Sequence, residues 1–252
     1  MTIAVGVALF AIALAAFATE AALGFGATVV SLSLAAQLVP IDVYLPAFVP
    51  VNALLLIWIL GAHRRHVAWR RLLAEVAPSV AVGAAIGLAL FRIPARLALQ
   101  LAFALSVVAL SGFELARLAR EEAGGPAPAR RRDLPFLVLG GVAHGLFSTG
   151  GPMIVYVLRR RLHDKAVFRA TLAGLWISLN GALLTNYATM GLFSAQTARM
   201  SLVLAAAVAP GILIGERLHR ALAVRTFHRI VLLVLLGSAG VLAVRTLRAF
   251  LA

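Results

Sequence analysis

Residues 140–158 read GGVAHGLFSTGGPMIVYVL, an apolar stretch that hydroxyls, glycines and a proline interrupt at 148–152. Glycine and proline disfavour a helix, because glycine gains little from helical order and proline lacks the backbone N–H. In a membrane such a break is tolerated only where it lies within protein or lines a cavity. A helix that restarts at Pro152 would direct its positive dipole end towards an anion. The stretch therefore predicts half of an anion-binding site within a membrane.

The composition identifies the class of protein. Of the 252 residues, 62% are hydrophobic and 13% are charged, with a mean hydropathy of +1.00, whereas an ordinary soluble domain has about 25% charged residues. Between Met1 and His63 the only charged side chains are Glu20 and Asp42. We predict an all-α, polytopic transmembrane bundle. Its membrane segments are expected near 2–39 (interrupted between Glu20 and Gly26), 44–62, 72–91, 97–116, 134–158, 167–190, 197–216 and 229–247.

The chain is predicted to consist of two related halves. The stretch 118–133 is polar and rich in helix breakers, which indicates a linker between a first transmembrane repeat at 1–117 and a second at 134–252. A shift of 128 positions aligns Asn52 with Asn180. Polar residues and spaced glycines rarely coincide by chance in an apolar chain, so we predict a repeat. The same shift aligns Arg71 with Arg199, Gly83 with Gly211, Gly87 with Gly215, and Arg92 with Arg220; for these glycines, helix packing is the favoured role.

The distribution of cations predicts the orientation. The loops 63–71, 117–133, 159–169 and 217–229 hold 18 of the 23 Lys and Arg residues, and cytoplasmic loops favour such residues. With these four loops inside, the stretch 191–199, which the same shift aligns with loop 63–71, lies outside. The two halves are therefore predicted to be inverted, with the N-terminus outside and the linker 118–133 cytoplasmic. Segment 134–158 should then enter the membrane and return, and segment 2–39 should do the same from the other side.

Each half is predicted to contribute one helix break to a substrate site. Both breaks fall at equivalent places, and Asn52 and Asn180 lie deep in neighbouring apolar helices, where polar groups usually face the bundle interior. The alternative for the glycines is close helix packing, and the alternative for the asparagines is an interhelical hydrogen bond. The predicted substrate-binding residues are Gly24, Phe25, Gly26, Thr28, Asn52, Ser148, Thr149, Gly150, Gly151 and Asn180.

Two further residues are candidates for coupling transport to a proton. His144 lies four residues before Ser148 on one helix face, and imidazole gains and loses a proton near neutral pH. Glu20 has no cation three or four residues away, and an intramembrane acid points to function. The alternatives are a hydrogen-bonded structural histidine and a glutamate that extends to the outer surface. The other helical acids are predicted to pair locally: Glu75 with Arg71, Glu114 with Arg117, and Glu216 with Arg220.

Other classes of function receive no support from the sequence. There is no nucleophile elbow, P-loop lysine, HExxH motif or cluster of metal-ligating side chains, and no cysteine. We therefore expect no enzyme, no cofactor and no metal site. The net charge of +14 lies in short loops between apolar runs and forms no continuous basic face, so nucleic acid is not an expected partner.

The two interrupted stretches resemble a known family. GFGATVVSLSLAAQLVP in the first half and GVAHGLFSTGGPMIVYVL in the second are similar to motifs of the sulfite exporter TauE/SafE family of membrane permeases. The resemblance implies a multi-pass protein of the bacterial inner membrane that moves small sulfur-containing anions, often outward. Carried over by position, it points to Gly24, Gly26, Gly145, Gly150, Gly151 and Pro152. Ala27 and Thr28 follow Gly26 where family members often have further glycines.

The expected function is secondary transport across a membrane, and the resemblance implies export as its direction. The protein would carry small sulfur-containing anions, such as sulfite or organosulfonates, by alternating access in a lipid bilayer. Two alternatives are a passive anion channel with the same site and a non-transporting membrane subunit that anchors or assembles a partner. A homo-oligomer is left open.

Overall fold

A computed structural model describes residues 2–93, 96–120, 133–159, 161–162, 164–221 and 224–251, and their regular structure is entirely helical. This confirms the predicted all-α bundle. The predicted linker 118–133 lies largely outside the described residues. The α-helices in chain order are α1 Ile3–Leu23, α2 Ala27–Ala35, α3 Ile41–His63, α4 Trp69–Arg71, α5 Ala77–Phe91, α6 Arg96–Arg120, α7 Leu134–Phe147, α8 Gly151–Arg159, α9 Lys165–Thr189, α10 Ala195–Ala205, α11 Val208–Ala221 and α12 Val224–Leu251.

Six helical stretches of the described chain are long and apolar enough to cross a membrane, so the protein is a multi-pass membrane protein. A π-helical turn at Leu72–Val76 joins α4 to α5, and a bend at 206–207 separates α10 from α11. Each of these pairs counts as one span. The six stretches are Ile3–Leu23, Ile41–His66, Trp69–Phe91, Leu101–Leu118, Ala166–Thr189 and Ala195–Ala221.

Helices α7 and α8 form a hairpin. A side chain added at Gly140 would contact Ile154 at 2.8 Å, although fourteen residues of continuous helix would separate these positions by about 21 Å. The two ends of the hairpin meet in an ion pair, with Nη2 of Arg161 2.5 Å from Oδ2 of Asp133. The chain therefore reverses at the predicted break at 148–152, while its entry and return on one side of the membrane stays a prediction.

Helices α1 and α2 form a second hairpin, which reverses at Gly24–Gly26. Thr19 of α1 lies against Gly26, and Val5 lines one groove together with Val39, which follows α2. Because this groove joins both ends of the segment, 2–39 reverses at the predicted break, and its entry and return on one side of the membrane stays a prediction.

Helix α3 runs from the ends of the first hairpin to the ends of the second. It begins one residue after Pro40, which lines the groove at the ends of the first hairpin. Beyond its other end, Nη1 of Arg71 donates a hydrogen bond to the carbonyl oxygen of Arg161, at the end of the second hairpin. The hairpins thus open towards opposite ends of α3. The inverted relation of the two halves, their boundaries and their orientation in the membrane stay predictions.

Glycines bring two pairs of helices very close together. A Cβ atom at Gly87 would overlap the carbonyl oxygen of Val142, and one at Gly145 would overlap that of Ala84, so α5 and α7 touch backbone to backbone. In the pair α1 and α11, a Cβ at Gly215 would lie 2.6 Å from the carbonyl oxygen of Ala18. Gly83 and Gly211 show the same crowding, which confirms that these glycines serve helix packing.

Two of the predicted local ion pairs are wrong. Glu75 pairs with Arg161 at 2.6 Å instead of with Arg71, and Glu216 pairs with Arg169 at 2.5 Å instead of with Arg220. The physical reason is tertiary, because the fold brings more distant arginines within reach of each carboxylate: Arg161 follows α8, and Arg169 lies on α9. The third predicted pair, Arg117 with Glu114, is present.

Candidate functional site

The two hairpin tips meet at a cavity between the halves of the chain. It is lined from α1, α2, α3, the tip of the second hairpin and α9. The helices that enclose it provide mostly polar or aromatic groups at this point. The lining residues are Glu20, Gly26, Thr28, Val29, Asn52, His144, Ser148, Thr149, Gly151, Trp176 and Asn180.

The first tip depends on two glycines. Gly24 ends α1 with φ +84° and Gly26 precedes α2 with φ +104°, a left-handed region that favours glycine. No side chain caps α2, and the first N–H groups of a helix have no partner within it. The start of α2 at Thr28 and Val29 lies in the cavity wall. This terminus thus presents backbone donors and a positive dipole end to the cavity.

The second tip is built differently. Ser148 ends α7 with φ +56°, the one described residue other than glycine with a positive φ. The Thr149 hydroxyl donates to the carbonyl oxygen of Ala143 at 3.4 Å. Helix α8 then begins at Gly151, which also lines the cavity. A strained, non-glycine turn at the centre of a protein indicates that its side chain has a role.

Four side chains form a continuous hydrogen-bonded chain across the cavity. Nδ2 of Asn52 donates to Oε2 of Glu20 at 2.6 Å, and Nδ2 of Asn180 donates to Oδ1 of Asn52 at 3.0 Å. The hydroxyl of Ser148 donates to Oδ1 of Asn180 at 3.4 Å. The predicted alternative of Glu20 reaching the outer surface is wrong, since its side chain is 4% exposed and accepts this buried bond.

An aromatic pair forms another part of the wall. The rings of His144 and Trp176 stack with centroids 5.4 Å apart and an interplanar angle of 3°. Nε1 of Trp176 donates to the carbonyl oxygen of Gly24 at 3.2 Å, so the indole touches both hairpins. Neither ring nitrogen of His144 makes a hydrogen bond of acceptable geometry with the described residues, although the side chain is buried.

The cavity is small in this conformation. The volume that the centre of a water molecule can reach is about 20 Å³, and one water needs about 10–15 Å³ on this measure. A sulfite ion has four heavy atoms and does not fit such a space. The helices around the site must therefore separate before an anion of this size can enter.

Nine of the twelve predicted site residues line this cavity. The other three lie beside it: Gly24 accepts the Trp176 hydrogen bond, and Phe25 packs against Gly151. Gly150 lies so close to α7 that a Cβ there would overlap the carbonyl oxygen of Gly140. The sequence reasoning missed Val29 and Trp176. Gly145 does not line the cavity, and the side chain of Pro152 lies outside the described part of the structure.

Metal binding has no candidate site in the described part of the chain, where no group of three or more His, Cys, Asp or Glu side chains could hold an ion. The donor set of the cavity is instead rich in N–H and O–H groups. Such donors suit an oxyanion, whose oxygens accept hydrogen bonds.

Comparison with known proteins yields one match. The family model described as sulfite exporter TauE/SafE matches residues 9–242 of the 252. No curated protein and no solved structure gives a significant match. The matched range includes both hairpin tips and every described residue that lines the cavity.

Proposed function

The chain belongs to the sulfite exporter TauE/SafE family, and from this membership we propose that it exports small sulfur-containing anions, such as sulfite or organosulfonates, by alternating access. The family is one of membrane transporters and not of enzymes. We further propose the cell inner membrane as its location, with the N-terminus outside and the basic loops in the cytoplasm, because these loops hold most of the Lys and Arg residues.

The observation that supports this function most directly is the meeting of the two hairpin tips at one polar cavity. Helices α2 and α8 both begin at its wall, and each has nine residues. Discontinuous helices whose N-termini meet within a membrane suit the binding of an anion. Thr28, Ser148 and Thr149 add hydroxyl groups, and the amides of Asn52 and Asn180 each retain one N–H hydrogen beyond those bonded in the chain described above.

Charge in the cavity sets how tightly the anion is held. The described residues that line the cavity include no Lys or Arg, so binding would depend on dipoles, amides and hydroxyls. Such donors hold an anion less tightly than a buried cation would, which allows release at each turnover. Arg169, which is buried against Gly24 and paired with Glu216, lies beside the site without lining it.

The size of the cavity favours a carrier over a passive channel. A channel needs a continuous path for the ion in its open state, whereas a carrier closes around its site between openings. In this conformation the site has room for about one water molecule and is bounded by buried side chains. This narrowness supports a carrier conformation between two openings, with the proposed substrate site at the contact between the two hairpins.

The test is counterflow of labelled sulfite in proteoliposomes preloaded with unlabelled sulfite. Saturable accumulation is expected for the wild type, and a loss of at least tenfold for Asn180→Leu, which removes the central amide at similar volume. Ser178→Ala is the matched control, because Ser178 lies two residues away on α9 and bonds only its own helix at Gly174. A linear flux without counterflow would indicate a channel. No flux in the folded wild type would favour the membrane-subunit alternative.

A further inference from the structure

We propose that Glu20 binds the coupling proton and His144 contacts the anion, so that substrate is bound only together with a proton. This inference rests on the proposed function and names the coupling ion and two separate roles within the same site. The argument depends on the contacts of these two side chains, which both line the cavity.

Among the described residues, no cation forms an ion pair with the buried acid Glu20. Its side chain is 4% exposed, and the hydrogen bond recorded for its carboxylate is the one from Asn52. No Lys or Arg is among the residues that line the cavity. A buried charge without a partner is strongly unfavourable within a membrane, so binding a proton stabilises this arrangement.

An anion in this cavity would meet the carboxylate directly. Two negative charges about 5 Å apart, at an effective dielectric constant of about 20, weaken binding by roughly two orders of magnitude. A proton on Glu20 removes this repulsion. It also turns one carboxylate oxygen from an acceptor into a donor, which reduces the demand on Nδ2 of Asn52 and frees that amide for the anion. Proton and anion therefore favour each other's binding.

His144, unlike Glu20, can attract the anion. It is 3% exposed, its ring is fixed by stacking on Trp176, and its polar neighbour is the Asn180 amide, with which it makes no hydrogen bond of good geometry. Buried polar atoms are nearly always paired, and a single amide can serve at most one of the two ring nitrogens, so a ligand in the cavity can complete the pairing of this ring. An N–H of the imidazole can donate to an oxygen of the anion in either protonation state.

Other titratable groups near Glu20 are already engaged. His219 of α11 has its Nδ1 2.7 Å from the carbonyl oxygen of Ala22, and Glu216 of the same helix pairs with Arg169. Helix α2 has no charged residue. The remaining charged or titratable groups of α3, α10 and the described part of α11 do not line the cavity; they are Asp42, Tyr44, His63, Arg199, Arg217 and Arg220.

The two halves differ in the side chain that hydrogen-bonds to each asparagine. Glu20 and Ser148 are 128 positions apart, and each lies 32 positions before the asparagine to which it bonds. The second half thus has a neutral hydroxyl where the first half has a carboxylate. This asymmetry gives the cavity one acid that can exchange a proton, in contact with the amide that joins the halves.

The test measures sulfite counterflow between pH 5.5 and 8.5, with every variant expressed as a ratio to the wild type at the same pH, because sulfite itself titrates in this range. For Glu20→Gln the ratio should rise at least tenfold from acid to alkaline pH. An acid-outside pH gradient should drive accumulation in the wild type but not in Glu20→Gln. A proton ionophore should abolish this accumulation in the wild type, which requires no variant to fold.

His144→Phe keeps the stacked ring and removes both nitrogens. It should raise the half-saturating sulfite concentration about tenfold. The ratio of its counterflow to that of the wild type should not change with pH, and the pH gradient should still drive uptake. His144→Gln, which restores an N–H donor, should recover part of the affinity. Asp164→Asn is the control, because it removes an exposed carboxylate that caps α9 and asparagine caps equally well.

Failure of this inference and failure of the proposed function are distinguishable. If the wild type shows no counterflow at any pH, the transport function itself is withdrawn. If counterflow is present but the Glu20→Gln ratio is flat and no gradient drives uptake, the proton coupling is overturned and the carrier stands. If His144→Phe abolishes the gradient-driven uptake while Glu20→Gln retains it, the two roles are assigned wrongly.

Discussion

Asn52 and Asn180, one from each half of the chain, hydrogen-bond to each other at the centre of the molecule, with 3.0 Å between Nδ2 of Asn180 and Oδ1 of Asn52. The bond uses one amide hydrogen of Asn180, and the second takes no part in the chain from Glu20 to Ser148. The two roles considered for these residues, helix pairing and ligand contact, are therefore compatible. Any separation of the halves at the cavity must break this bond or carry both residues together.

The first prediction concerns the free energy that the hydrogen bond between Asn52 and Asn180 contributes to folding. Asn180→Leu leaves buried polar atoms of Asn52 and Ser148 unpaired, so the free energy of unfolding should fall by about 2 kcal/mol. The double variant Asn52→Leu/Asn180→Leu should lose less than the sum of the two singles, by about 0.5–1.5 kcal/mol. Chemical denaturation in mixed micelles measures the cycle. Strict additivity would contradict a direct bond.

The strained turn at Ser148 allows stability and transport to be separated. Ser148→Ala removes the hydroxyl and retains the positive φ of 56°, so we expect a loss of about 1 kcal/mol of unfolding free energy. Ser148→Gly also removes the hydroxyl but relieves backbone strain of about 1 kcal/mol, and its stability should match the wild type. Both variants should reduce sulfite counterflow equally. If Ser148→Gly transports normally, the hydroxyl has no part in the site.

The contact between α5 and α7 predicts a sharp difference between two glycines. A Cβ atom at Gly87 would lie 2.9 Å from Cα of Gly145 and overlap a carbonyl oxygen, so Gly87→Ala should destabilise the protein by about 1–3 kcal/mol. Gly181 of α9 has nothing within 4 Å, and Gly181→Ala should leave stability unchanged or slightly raised. Thermal unfolding in detergent tests this pair. Equal effects would mean that the helices do not touch here.

The ion pairs at the ends of the second hairpin give a further prediction. Partial burial acts to lower the pKa of Arg161, but hydrogen bonds and charge from Asp133 and Glu75 outweigh it, so the pKa is raised and the guanidinium stays charged. Arg161→Gln leaves both acids without this partner and should lower the unfolding free energy by about 1 kcal/mol. Arg70→Gln, at an exposed position, is the control. The difference should shrink in high salt.

Local sequence signals were sufficient for much of the site. The glycines at the first tip and the Ser-Thr-Gly-Gly run at the second predicted the breaks, because these residues disfavour a helix wherever they occur. The shift that aligns Asn52 with Asn180 predicted two residues that the fold brings into contact. Hairpin formation followed from the charges that flank 134–158, since cations at both ends favour the same side of a membrane.

Contacts between residues far apart in the chain could not be predicted from these local signals. Trp176 lies in a long apolar helix, where one more aromatic residue gives no local sign that its N–H reaches Gly24 or that its ring stacks on His144. The ion pair between Glu75 and Arg161 joins residues 86 positions apart, and only the fold shows that it replaces a local pair. Gly150 is a residue type that suits a ligand contact. Its close packing against Gly140, however, depends on how the hairpin closes.

The difference between Glu20 and Ser148 has an electrical consequence. A carrier with one exchangeable proton moves a doubly charged anion with a net charge of minus one, and is therefore electrogenic. A membrane potential of 100 mV, negative inside, contributes about 2.3 kcal/mol per charge, which corresponds to a concentration ratio of roughly fifty to one in favour of the outside. Glu20→Gln would carry the same anion with two negative charges, so the voltage dependence of its flux should double.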